Sequence, residues 1–226
     1  MKSKRYKKLP EKTNELAAVE IDKIISTVKS NCTTKFDESI DLSFQINNKQ
    51  KKNEINLRTV INMPGGTGKK IKVAVICEEA KAKDAKDAGS DIVGGDDFIE
   101  KIKSGNMNFD KLICTPSMMI KLSKLGKILG PKGLMPNPKL GTVTNDVKSI
   151  TKSLKSGQIE IKNDKDGNLA ASIGKKSFSE TNIKENFEAI KETVLKERPV
   201  NIKGNFILSA FLTSTMGVSY KLKLGK

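Results

Sequence analysis

The chain contains no histidine and no tryptophan, its aromatic content is 4%, and only three of its 226 residues are cysteines. Each shortage closes off a class of chemistry. Without histidine there is no serine–histidine or cysteine–histidine nucleophile pair, no imidazole metal ligand and no ordinary general base at neutral pH. Cys32, Cys77 and Cys114 lie far apart and none belongs to a C-x-x-C pair. Cys77 and Cys114 sit inside apolar runs, where a thiol serves as a small buried hydrophobe. The odd cysteine count, the lack of a signal peptide and the lack of an apolar run of membrane-spanning length imply the reducing cytoplasm and no membrane partner. No metal site and no cofactor are expected.

Arginine is scarce too, at Arg5, Arg58 and Arg198, so lysine supplies most of the 42 basic residues set against 26 acidic ones. The formal charge of +16 points to a polyanionic partner, nucleic acid before an anionic membrane. The bland alternative is a lysine-rich protein from a lysine-biased proteome, since isoleucine, asparagine and lysine are all abundant.

What is present falls into two textures. Residues 1–12 carry six cations, from Lys2 to Lys12, against Glu11 alone, and read as a basic tail, mobile unless bound. Ala17, Ile21, Ile24, Ile25 and Val28 recur at helical spacing over 14–29. Ile40, Leu42, Phe44 and Ile46 alternate with polar residues as in a half-buried strand, and a polar turn over 47–53 leads to a second strand over 57–62. From residue 67 the pattern changes to apolar runs alternating with helical stretches: strands at 73–77, 91–93 and 111–115, helices at 79–88, 96–103, from Pro116 and over 145–156. That alternation predicts a parallel sheet covered on both faces. At Gln158 the alternating strands return, at 158–162 and 168–173 about a hairpin loop ending in Gly167, followed by a helix over 179–196 and strands over 205–212 and 219–224. Two strands and a helix do not make a core alone. The fold class is therefore α+β and α/β in two domains. Residues 1–66 and 158–226 form a discontinuous, split-βαβ-like α+β domain, and 67–157 an inserted Rossmann-like three-layer α/β domain, with the paired crossings as a hinge.

A Rossmann-like nucleotide or metabolite enzyme is the alternative that a parallel sheet invites, and the placement of the glycines argues against it. No G-x-G-x-x-G follows the strand at 73–77, where Glu78-Glu79-Ala80 stands instead. The run Gly65-Gly66-Thr67-Gly68-Lys69-Lys70 mimics a phosphate loop, but it precedes a strand and Lys70 replaces the magnesium-binding hydroxyl residue. Gly94-Gly95 before Asp96-Asp97 reads as two acids opening a helix at its positive end.

Three segments remain as candidates. Residues 128–144, ILGPKGLMPNPKLGTVT, carry three prolines and three glycines among apolar residues, which predicts a long ordered loop rather than a linker. Lys35-Phe36-Asp37-Glu38-Ser39 puts one aromatic and a cation at a loop edge, suited to an unstacked base and a phosphate, or else to a core phenylalanine sealing a helix–strand junction. Thr213-Ser214-Thr215-Met216-Gly217 is a bend of small hydroxyl residues that lets RNA backbone approach closely, or else an ordinary turn.

The 128–144 run closely resembles the signature of the family of the bacterial large-subunit ribosomal protein numbered one, the protein of the mobile lateral stalk beside the E site. The Lys35–Glu38 and Thr215–Gly217 motifs and the 93–99 stretch agree, so the resemblance covers essentially the whole chain. It implies a non-catalytic protein that binds the stalk region of 23S rRNA and assists release of deacylated tRNA from the E site. It also implies repression of its own operon through an mRNA site, and a monomer when free of the ribosome. Carried over residue by residue, the rRNA-binding residues are Lys35, Phe36, Ser209, Thr215, Met216 and Gly217, with Ser39 beside them. Gly130, Lys132, Gly133, Pro136, Asn137 and Lys139 of the signature loop are candidates for stalk contacts through its lysines or for bracing the hinge. One departure is Val218, where many members have proline.

Overall fold

The computed structural model describes residues 4–9, 20–47, 57–199, 202 and 204–224. The chain forms two compact units, Met1–Gly68 with Ile159–Lys226, and Lys69–Gln158. In chain order, the first unit opens with α1 (Lys4–Lys8), α2 (Ile21–Ser30), β1 (Ser39–Ile46) and β2 (Arg58–Asn62). There follow β3 (Val73–Ile76), α3 (Glu79–Asp87), β4 (Ile92–Gly94), α4 (Asp96–Lys103), β5 (Lys111–Cys114), α5 (Pro116–Ser123), α6 (Gly126–Leu129) and α7 (Val147–Ser156). The chain ends with β6 (Gln158–Lys162), β7 (Asn168–Lys175), α8 (Glu180–Lys196), β8 (Ile207–Ser214) and β9 (Tyr220–Lys221).

In the first unit β7, β1, β8 and β9 pair in that order as an antiparallel sheet. The period of two along β1 turns Ile40, Leu42, Phe44 and Ile46 toward α2 and α8, whose Ile24, Ile25, Val28, Ile183, Phe187, Ile190 and Val194 complete one core. Phe44 and Phe187 meet there with ring centroids 6.1 Å apart. Ser179 caps α8 by accepting the Asn182 amide, and Glu180 and Lys196 match the helix dipole at its two ends.

Strands β6 and β7 do not form the expected hairpin. β6 pairs with β2 in a separate two-stranded sheet, and β7 pairs with β1. The loop between them is a corner: Asn163 bonds Leu57 through its amide N–H and its Oδ1, Gly167 O accepts Ile46 N, and Asp164 Oδ1 accepts Asp166 N and Asn168 N. Local turn chemistry is satisfied, but the partners of the strands are remote in sequence.

The basic tail also departs from expectation, since Lys4–Lys8 is a helical turn and Leu9 is buried. Residues 14–19 of the expected first helix and 48–53 of the expected turn lie outside the described residues. The phosphate-loop mimic is structural: Gly65 N donates to Asn186 Oδ1, and a Cβ on Gly65 would stand 2.9 Å from the Asn182 Cβ.

In the second unit β4, β3 and β5 are parallel in that order. Val73, Val75 and Ile113 face Ala85, Val147 and Leu154, which come from α3 and α7. Ala74, Ile76, Leu112 and Cys114 face Phe98, Ile102, Met118 and Leu122 of α4 and α5. Three layers result, and residues buried on both sheet faces explain the unbroken apolar runs. Burial alone pushes the Cys114 thiol up to about 11, so this cysteine is inert packing.

Candidate nucleic-acid interface

The interface begins where α2 ends. Residues 34–38 lead into β1, and across from them β8 ends in the turn Thr215–Gly217. Glu38 joins the two. Its side chain is fully buried, its Oε1 accepts Thr34 N at 3.2 Å and Thr34 Oγ1 at 2.8 Å, and its Oε2 accepts Met216 N at 3.1 Å. Burial by itself would raise the carboxyl pKa, but the bonds from Thr34, the Met216 amide and Ser214 outweigh it and hold Glu38 below its ordinary value. A charged carboxylate is thus kept in place by donors from both segments.

The turn is further tied to β1. Thr215 N donates to Ser39 O at 3.0 Å, and Thr215 Oγ1 accepts Ser39 N at 2.9 Å. Gly217 is set by space rather than by φ: an added Cβ would lie 2.3 Å from Ser214 Oγ, while Gly217 N donates to Ser214 O at 3.1 Å. On this fixed base two large apolar side chains stand in solvent, Phe36 at 52% and Met216 at 48% exposure. Phe36 is therefore not the core residue that its position also allowed. Lys35 is exposed beside it.

Sequence reasoning named Lys35, Phe36, Ser39, Thr215, Met216 and Gly217, and the fold brings these together. Ser209 lies elsewhere on the same sheet, six residues before Thr215 and so roughly 20 Å along the strand. There Gln45 stands opposite Ser209, and Ser209 Oγ meets Gln45 Oε1 at 3.3 Å. Asp41 and Ser43 face Thr213 and Phe211 in the same register, on the sheet face turned away from α2 and α8. An open groove of about 750 Å³ runs there beside Ser43, Gln45, Asn168, Ser209 and Phe211. Phe36 and Met216 at one end and Ser209 at the other mark a mixed face, on which the hydroxyls and amides of Ser43, Gln45, Asn168 and Ser209 lie among Phe211 and the Asp41 carboxylate. It offers both hydrogen bonds and apolar contact to a nucleic-acid chain.

Two supporting roles lie outside the predicted binding residues. Glu38 falls within the Lys35–Ser39 segment, but its role as a clamp on the Met216 turn is visible only in the fold. Arg5 reads as part of a tail, yet its guanidinium donates to Thr33 Oγ1 at 2.9 Å and to Met216 O at 2.7 Å.

The Gly/Pro-rich loop at 128–144 belongs to the second unit and closes on it. Leu129 is fully buried, Ile128, Leu134 and Met135 pack on the same core, and Pro136 is buried. Asn137 Oδ1 caps a single 3-10 turn, Pro138–Leu140, by accepting Lys139 N at 2.9 Å, and Thr142 Oγ1 accepts Asn137 N at 2.7 Å. A Cβ on Gly130 would meet Gly126 O at 2.7 Å, and Gly133 has φ 67°. Lys127, Lys132 and Lys139 remain exposed on this braced loop. One turn of helix, α6, covers Ile128 and Leu129, so the segment is less uniformly irregular than its prolines imply.

No group of side chains able to hold a metal ion occurs among the described residues, and no described helix is long and apolar enough to cross a membrane. A family model described as the ribosomal protein L1p/L10e family matches residues 28–218. The large ribosomal subunit protein uL1 of Pelagibacter ubique (strain HTCC1062) is 66% identical over 227 residues, covering 100% of this chain and 99% of its own. The protein of the same name from Orientia tsutsugamushi (strain Boryong) is 44% identical over 98% of this chain and 90% of its own. That from Thermosipho africanus (strain TCF52B) is 44% identical over 97% and 95%.

Proposed function

The chain belongs to the ribosomal protein L1p/L10e family, a family of non-enzymatic ribosomal proteins, and from that premise we propose that it grips the stalk region of 23S rRNA with the face that runs from Phe36 and Met216 to Ser209. In this reading residues 1–66 and 158–226 are the RNA-binding domain and 67–157 an inserted domain. The inserted domain extends the stalk toward deacylated tRNA leaving the E site, and the RNA-binding face also represses the protein's own operon through an mRNA site of similar shape. The lysines supply attraction that depends on salt and not on sequence, and the fixed apolar pair supplies shape recognition.

The observation that carries the reading is the Glu38 clamp. A fully buried carboxylate holds two loops so that a phenylalanine and a methionine are both about half exposed, an exposure that buries no apolar area in the free protein and gives a nucleic-acid partner a rigid stacking surface. The loop at 128–144, with Gly130, Lys132, Gly133, Pro136, Asn137 and Lys139, is assigned to stalk or hinge contacts on its exposed lysines and its bracing. Filter binding of a stalk rRNA fragment tests the face. Met216→Asp and Phe36→Ala each weaken binding by about 1–3 kcal/mol, the range of one lost specific contact. Unchanged affinity in both variants removes the assignment. Replacing residues 67–157 with a short glycine bridge leaves most of the affinity in place, and its complete loss from a folded deletion variant moves the site to the inserted domain.

A further inference from the structure

α1 is five residues long, and four of them, Lys4, Arg5, Lys7 and Lys8, are cations. A helix this short is not stable by itself, and like charges four apart, as at Lys4 and Lys8, weaken it further. Arg5 and Leu9, also four apart, share the side that meets the unit: Leu9 is buried, and Arg5 spans Thr33 Oγ1 at 2.9 Å and Met216 O at 2.7 Å. Lys4, Lys7 and Lys8 follow the i, i+3, i+4 spacing of a second ridge, and all three are exposed. Arg5 thus ties α1 to the carbonyl of Met216, whose side chain is one of the two exposed apolar groups on the base set by Glu38.

We propose that α1 is a cationic clamp of the RNA site, in which Arg5 fixes the Met216 turn and the Lys4–Lys7–Lys8 ridge takes the phosphate backbone of the RNA seated on Phe36 and Met216. The proposal rests on the RNA-binding reading of that face. The mutual repulsion of the four cations on α1 is offset when a polyanion lies along it. Arg5 is a positioning residue for Met216: a planar guanidinium serves two acceptors at once, and a lysine ammonium on a flexible stem does not reproduce that fork.

The test uses the full chain and fluorescence anisotropy with a stalk rRNA fragment and a scrambled RNA of the same length, across a KCl series. The triple variant Lys4→Gln/Lys7→Gln/Lys8→Gln is expected to flatten the dependence of log affinity on log salt by about two to three, roughly one per lost phosphate contact. Arg5→Gln is expected to change that slope by about one at most but to cut the preference for the stalk fragment roughly tenfold, and Arg5→Lys is expected not to restore it. A packing role alone leaves the salt slope untouched, so an unchanged slope in a triple variant that melts at the wild-type temperature overturns the clamp. So does an Arg5→Gln variant with unchanged preference. If the wild-type chain itself shows no preference for the fragment, the RNA-binding reading falls and the clamp falls with it. A wild-type preference with unaltered variants removes the clamp alone.

Discussion

The surface around Phe36 and Met216 is assembled from segments up to 211 residues apart, whereas the side-chain hydrogen bonds that brace the loop at 128–144 span five residues at most. In the first, the turn that carries Met216 is tied down from far along the chain, by Glu38 to Met216, Thr215 to Ser39 and Arg5 to Met216, while Thr34 bonds Glu38 and Phe36 O locally. In the second, Asn137, Lys139 and Thr142 bond one another, and the apolar members dock on the core directly beneath. A surface of the first kind is lost as a unit when one link fails. A loop of the second kind loses only its own stability.

The comparison breaks most visibly at Glu38. Glu38→Ala leaves the partly buried amides of Thr34 and Met216 without their acceptor and is expected to cost about 3 kcal/mol of stability in denaturant melts. RNA affinity falls with it, because Phe36 and Met216 lose their common base. The same carboxylate has a pH signature. Its folded pKa is depressed from an ordinary 4.5, so its contribution is fully present above that value and disappears as pH falls through the lower folded one. Calorimetric melts from pH 7 to pH 3 should show the gap between wild type and Glu38→Gln closing below about pH 4.5.

Gly217→Ala is next. The new methyl meets Ser214 Oγ, and relief comes from turning that hydroxyl off Glu38 or from a shift of the turn, at about 1–3 kcal/mol. Both stability and RNA affinity should drop. Gly133→Ala in the other region meets no atom within 4 Å and pays only for its φ of 67°, about 1–2 kcal/mol. Its melting temperature should fall while RNA affinity stays at the wild-type value. Equal affinity losses for the two glycine variants would erase the distinction between the regions. The smallest effect is expected at Thr215. Thr215→Val removes the acceptor for Ser39 N and costs about 1 kcal/mol of stability, and Thr215→Ser keeps that bond and the stability. If the serine variant loses RNA affinity while remaining stable, the threonine methyl touches RNA.

The same contrast explains what could be seen in the letters. Periodicity placed α8 through Ile183, Phe187, Ile190 and Val194, and the three-layer unit through runs such as Val73–Ile76, because each is a local pattern imposed by one burial geometry. The Gly/Pro loop was legible as an ordered segment because its constraints are its own φ angles and prolines. Phe36 and Met216 were legible as candidates, but not as a pair with one support. The Asn163–Gly167 corner looked like a hairpin because turn residues report a reversal and not which strands pair. Arg5 and the Lys4–Lys8 turn were hidden for the same reason: their conformation is chosen by Thr33 and Met216, and a run of cations carries no trace of a partner beyond residue 30.

The central claim is that the clamped face recognises one RNA shape. Isothermal titration of the full chain with the stalk rRNA fragment and with a scrambled RNA of equal length, at about 150 mM KCl where weak surface attraction is screened, measures this directly. The account predicts at least a hundredfold preference for the fragment, at the order expected when specific contacts add to charge attraction. Equal affinity for the two RNAs would contradict it.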